Sequence, residues 1–164
     1  MTATDYTLHT AFLEDHRHLT KGLAGLLESL RRNNAPRATT IARELDRVAG
    51  PHMAFEEAVL YPELQGRLGK SFIDQLYHEH ALGQEAVSHL VHRAESGPLT
   101  PPERSTLIEQ VETALEHALS CGSLLSYLDT LSTERHNEML QQLLDMRAQE
   151  RLWTDLPKRP GHVP

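Results

Sequence analysis

A chain of 164 residues with one cysteine, Cys121, is sized for a single domain with a buried core, and it can form no intramolecular disulfide. Its formal charge of −7 argues against nucleic acid as a partner, because that affinity comes from clustered Lys and Arg set against phosphates. Aromatic residues make up only 5%, and Leu, Ala, Glu, Gln and Arg are abundant, which favours helices over strands and predicts an all-α fold.

The amino terminus has no basic segment followed by an apolar run, and no apolar stretch approaches membrane-spanning length. A cytoplasmic protein with no membrane partner is the expectation. Phe12, Leu19, Leu23, Leu26, Leu27 and Leu30 form a helical stripe that predicts a first helix from about Asp5 to Arg32, stopped by Asn33-Asn34-Ala35-Pro36. His16 lies on that stripe, His18 points away, and His9 reads as solvated or fraying near the helix entrance. The second helix is predicted from about Arg37 to Leu60 or Leu64, with Ile41, Leu45, Val48, His52 and Val59 facing inward. Gly50-Pro51 predicts a kink just before His52, or two shorter helices meeting there.

Gly66 to Gly69 reads as a loop and Ser71 as a cap for a third helix reaching about Ala94. Its stripe is Ile73, Leu76, Tyr77, Val87, Leu90 and Val91, with His80 inside it and His78, His89 and His92 on the solvated side. After the breakers Ser96-Gly97-Pro98, the run Thr100-Pro101-Pro102-Glu103 has the form of a capping box with proline at the first helical position. Leu107, Val111, Ala114, Leu124, Leu125 and Leu128 mark the fourth helix, which carries His117 on the same face and Cys121 one turn later. Thr130 to Thr133 suggests a break. Met139, Leu140, Leu143 and Met146 then predict a fifth helix to about Arg151, with His136 on its apolar side in a packing or lid role. The predicted organisation is a four-helix bundle over residues 1–130, a C-terminal helix over 131–152 packed on or beside it, and a flexible tail over 153–164.

Eleven histidines are more than a helical protein needs for packing. His16 and His52 are 36 positions apart and His80 and His117 are 37, so the chain reads as two helical hairpins of matching layout, each opening on an acidic residue and a histidine: Asp15-His16 and Glu79-His80. Short connections make consecutive helices antiparallel, giving an up-down-up-down bundle in which four inward histidines can meet at one level. One histidine on an apolar stripe is more often a core residue bonded to a backbone carbonyl. Four in register, with Glu56 one turn after His52, form a constellation instead. A buried carboxylate pairs, neutralises or coordinates a metal, and imidazoles with a carboxylate suit iron, zinc or manganese more than calcium. Glu56 could bridge two ions.

Asp15-His16-Arg17, the run His52…Glu56-Glu57…Leu60-Tyr61-Pro62, and Glu79-His80 resemble the hemerythrin-like, or HHE cation-binding, family over about residues 8 to 128. The resemblance implies a non-haem di-iron centre whose ligands are His16, His52, Glu56, His80 and His117, with Glu57 pointing off the site into a supporting role. The fourth helix departs from the pattern. Where the family has a second carboxylate, His117-Ala118-Leu119-Ser120-Cys121 ends in a thiol, so a mononuclear centre is also open. Gln84 in place of a second histidine after His80 argues against oxygen transport in the strict sense.

The resulting expectation is a non-haem iron protein that senses or handles a small ligand such as dioxygen, nitric oxide or peroxide, with a C-terminal helix that could pair with a second copy of the chain. The other reading is a degenerate bundle acting as an interaction or regulatory module with one metal or none. Cys121 has three readings: a core residue, a thiolate near the metal, or a spacer beside the ligands. Tyr77, one turn from His80, could be core or a hydrogen-bond donor to a bound ligand.

Overall fold

The computed structural model describes residues 6–93 and 97–158. Helix α1 spans Leu8–Arg31, with Thr7 as its cap accepting from the Thr10 amide, and α2 spans Ala35–Phe55, with Asn34 accepting from the Arg37 amide. The helix then continues through one wide turn, Glu56–Leu60, into α3 at Tyr61–Leu68. Helix α4 is Lys70–His92 and α5 is Pro101–Cys121. The capping box read at Thr100 and Glu103 is present: the Thr100 side chain accepts from the Glu103 amide at 3.4 Å and the Glu103 carboxylate accepts from the Thr100 amide at 3.0 Å. A tight turn, Gly122–Leu128, leads towards α6 at Thr133–Ala148.

Helices α1 and α4 each pack against both α2 and α5, which closes an antiparallel four-helix bundle, and α6 lies across α1 and α2 as the additional C-terminal helix. The apolar interior falls into two clusters. One runs from Leu19 to Leu30 on α1 with Leu45, Leu90, Leu107 and Val111; the other gathers Phe12, Phe55, Leu60, Ile73, Leu76, Leu124, Met139 and Leu143. On α1 and α4, His16 and His80 lie between them in sequence.

Several details differ from the sequence reading. The inward line of α2 is Ala38, Ala42, Leu45, Ala49 and His52, while Ile41 is half-buried and Val48 exposed. Alanines, which carry little hydrophobic signal, set the phase because they let neighbouring helices approach. The connection before α4 is Gly69 alone, at φ +83° where glycine is favoured, and Gly66 is helical. Ser71 is inside α4. Helix α2 runs unbroken through Pro51. Its neighbour Gly50 serves a close approach: a Cβ there would sit 1.9 Å from the Arg151 carbonyl oxygen.

The chain after α6 is docked rather than loose, contrary to the expectation of a tail that is flexible from residue 153. Trp153 is buried, and a Cβ at Gly83 would come within 2.6 Å of its ring. The Gln84 amide donates to the carbonyls of Trp153 and Leu156 at 2.6 and 3.0 Å, and Asp46 accepts from the Thr154 amide at 2.8 Å. One large aromatic side chain and two buried polar residues hold this segment. Residues 159–164, like Asp5 and Ala94 to Ser96, lie outside the described residues. No described helix is long and apolar enough to cross a membrane.

Candidate metal centre

All five residues singled out from the sequence, His16, His52, Glu56, His80 and His117, meet in the bundle interior, and each is at most 7% exposed. Every imidazole has its Nδ1 engaged by an acceptor outside the cluster. His16 Nδ1 donates to the Ala118 carbonyl at 2.9 Å, and His52 Nδ1 to Asp15 at 3.1 Å. His80 Nδ1 donates to Glu57 at 3.0 Å and His117 Nδ1 to Glu79 at 2.7 Å. A carbonyl and ionised carboxylates only accept, so each Nδ1 carries a proton and each Nε2 is turned inward as the nitrogen that a metal would take. The residue that precedes His16, Asp15, supplies this support across the bundle to His52, and Glu79 does the same for His117. That exchange gives a physical reason for the acidic-histidine pairs.

Glu56 divides the interior. Its Oε1 faces His16 Nε2 at 3.5 Å and His52 Nε2 at 3.4 Å, while its Oε2 faces His80 Nε2 at 3.0 Å. His80 Nε2 and His117 Nε2 approach to 3.0 Å. The Nε2 atoms of His16 and His52 are buried without a hydrogen-bond partner, a state that costs about 1–3 kcal/mol per group when nothing else compensates it. A shared cation explains both. Ligands held at about 2.1 Å from one ion are about 3.0 to 3.4 Å apart in octahedral or tetrahedral arrangements, close to the observed separations. Ligand atoms of His16, Glu56 and Cys121, and separately of Glu56, His80 and His117, lie within 4.8 Å of one another. The residues fit a transition-metal ion in each half.

The electrostatics carry the same demand. Burial alone would raise the Glu56 carboxyl, but the imidazoles of His52 and His80 hold it well below its ordinary value. Burial lowers His52 and His80, yet Glu56 with Asp15 raises the first to about 9, and Glu56 with Glu57 raises the second to about 9. His117 is lowered, by burial and by the neighbouring His80. A buried carboxylate thus favours positive charge on both of its sides, held as protons on His52 and His80.

One residue at the site escapes α-helical counting. The Tyr61 hydroxyl lies 2.9 Å from His80 Nε2, 3.2 Å from His117 Nε2 and 3.3 Å from Glu56 Oε2. At 3.6 residues per turn a side chain five positions on points about 140° away. The wide turn closes on a hydrogen bond from the Tyr61 amide to the Glu56 carbonyl, which brings Tyr61 back over Glu56. Pro62 is the signal for it, because a proline cannot donate to the preceding turn. Tyr77 is not at the centre; its hydroxyl donates to the Glu57 carbonyl at 3.0 Å.

Around the site, Phe12 stacks on His16 with ring centroids 4.4 Å apart and lies 4.8 Å from His52. Glu57 supports His80, in keeping with a residue that faces off the site. His18, His78, His89 and His92 are exposed, and His136 donates to the Leu128 carbonyl at 2.9 Å away from the cluster. Gln84 serves the C-terminal segment. Cys121 is buried, with Sγ donating to Glu56 Oε1 at 3.0 Å, and burial followed by the Glu56 charge pushes its thiol up.

The family model for the hemerythrin HHE cation binding domain matches residues 7–120. No curated protein and no solved structure matches the chain. The match stops one residue before Cys121, so α6 and the Trp153 segment lie beyond it.

Proposed function

The chain belongs to the hemerythrin HHE cation-binding family, and from that premise we propose that it is a non-haem iron protein that senses or handles a small ligand: dioxygen, nitric oxide or peroxide. The observation that carries this reading is the pair of buried, unpartnered Nε2 atoms of His16 and His52 facing the fully buried Glu56. His16, His52, Glu56, His80 and His117 would hold the metal, with Glu56 shared between the two halves. Bound there, iron would supply open coordination positions and a redox-active centre to a small ligand.

The chain's own residues set the terms. Asp15, Glu57, Glu79 and the Ala118 carbonyl orient the four rings and make their inner nitrogens better donors. Phe12 and the two apolar clusters exclude water and anything large, which restricts the exogenous ligand to a few atoms. Tyr61 holds a hydroxyl proton beside His80 and Glu56, where it can hydrogen-bond an anionic or polar ligand; burial and Glu56 keep that proton in place by raising the phenol well above its ordinary value. Five protein ligands cannot fill two six-coordinate ions, which favours binding of an exogenous molecule over a purely structural metal. A cytoplasmic setting and a small-molecule partner, with no nucleic acid and no membrane, go with this reading, and pairing of two copies through α6 remains part of it.

The missing carboxylate at position 121 favours a second reading, a degenerate bundle that acts as an interaction module with one metal or none. Metal analysis of protein purified without chelator, with an absorption spectrum before and after adding nitric oxide, dioxygen or peroxide, separates the two. Bound iron and a spectrum that responds to one of these ligands support the first. Iron that responds to none of them, or no metal at all, contradicts it.

A further inference from the structure

Building on the metal-centre reading, we propose that Cys121 is a sulfur ligand of the ion held by His16, His52 and Glu56. One half of the centre then binds through two imidazoles, a carboxylate oxygen and a thiolate, while the other half, His80, His117 and Glu56, binds through nitrogen and oxygen alone. The position where the second carboxylate is missing is filled with a different donor rather than emptied.

Three observations lead there. Cys121 Sγ contacts Glu56 Oε1 at 3.0 Å, the same oxygen that faces His16 Nε2 at 3.5 Å and His52 Nε2 at 3.4 Å, so the sulfur is on that side of the carboxylate. Its Sγ lies within 4.8 Å of the ligand atoms of both His16 and Glu56. The inner nitrogens of His16 and His52, which face that same Glu56 oxygen, are buried without a hydrogen-bond partner. With an ion bound, sulfur, carboxylate oxygen and both imidazoles are satisfied together.

The thiol donates its hydrogen to Glu56. On ligation the S–H bond breaks, the metal–sulfur bond forms from the sulfur lone pair, and the proton passes to solvent; no electron is transferred. A thiolate is the softest donor in the cluster, so this half favours ions such as zinc and cobalt more than an all-nitrogen-and-oxygen half does. The two halves differ in metal preference.

Cobalt(II) is the probe, added to the metal-free full chain, with bound cobalt measured by elemental analysis and helicity by circular dichroism. Wild type is expected to show intense near-ultraviolet sulfur-to-cobalt charge-transfer absorption. That band should vanish in Cys121→Ser and Cys121→Ala, vanish in His16→Ala, and persist in His117→Ala. Cobalt bound without the band in wild type overturns the sulfur ligand and leaves the metal centre standing. A band unchanged in a helical Cys121→Ser or Cys121→Ala also overturns it, as does one that depends on His117 and not on His16. No bound cobalt overturns both readings. Should the serine and alanine variants fail to fold, the wild-type band and its dependence on His16 against His117 decide the matter.

Discussion

Arg147 donates to Asp15 Oδ1 at 2.6 Å, and the other oxygen of Asp15 accepts from His52 Nδ1 at 3.1 Å. Arg147 is on α6, beyond the matched family span, so the extra helix is tied to the His52 side of the centre by a charged contact. Burial raises the Asp15 carboxyl, but His52 and Arg147 together leave it below its ordinary value, ionised and fit to accept.

Asp15→Asn should therefore weaken metal binding about 10–100-fold, the usual scale for a partner that orients a metal-bound histidine. Arg147→Ala should lower affinity in the same direction by less, and Arg147→Lys should recover part of the loss. Competition with a chromogenic chelator measures all three. Unchanged affinity in Asp15→Asn would separate His52 from the centre.

The Trp153 segment closes one side of the bundle against Gly50 and Gly83. Trp153→Ala should cost about 3–5 kcal/mol of unfolding free energy, as expected for removing a fully buried large aromatic. Gly50→Ala should be destabilising for another reason, because its Cβ would meet backbone rather than a movable side chain. Urea unfolding checks both. A wild-type midpoint in either variant would mean that the segment is not docked in solution.

Much of this was legible in the sequence because helix caps, stripes and the spacing of His16, His52, His80 and His117 are local or periodic signals. The all-α bundle with its C-terminal helix and the convergence of the cluster follow from them. Tyr61 was not legible, because α-helical counting fails across the wide turn at Glu56–Leu60. Nor were Val48 and Trp153. Alanine phase placed the first outside, and the second is held by Gln84, Asp46 and two glycines far away in the chain.

The Tyr61 hydroxyl touches His80, His117 and Glu56. Tyr61→Phe should preserve the fold and lower the stability of the metal-free protein by about 1 kcal/mol, the net worth of a typical buried hydrogen bond. Chemical unfolding in the presence of chelator measures it. Equal stability would place the hydroxyl outside the network.

Without metal, stability should depend on pH in a defined window. His52 and His80 have folded values of about 9, above the ordinary 6.5, so their contribution is complete below 6.5 and is lost as pH rises through about 9. His117, which is lowered, opposes folding only below its ordinary value. The thermal midpoint of chelator-treated protein should fall between pH 6.5 and 9. With metal bound the decline should flatten, since the ion replaces those protons. A metal-free midpoint that is flat or rising across this window would contradict the charge state assigned to the cluster.

Metal content per chain in single-site variants tests the centre most directly. Glu56→Ala and His52→Ala should lose most of the metal, because Glu56 faces both halves and His52 presents a buried, otherwise unpartnered nitrogen to it. His18→Ala and His78→Ala, whose side chains are exposed, should retain wild-type content. Wild-type metal content in both Glu56→Ala and His52→Ala would contradict the account.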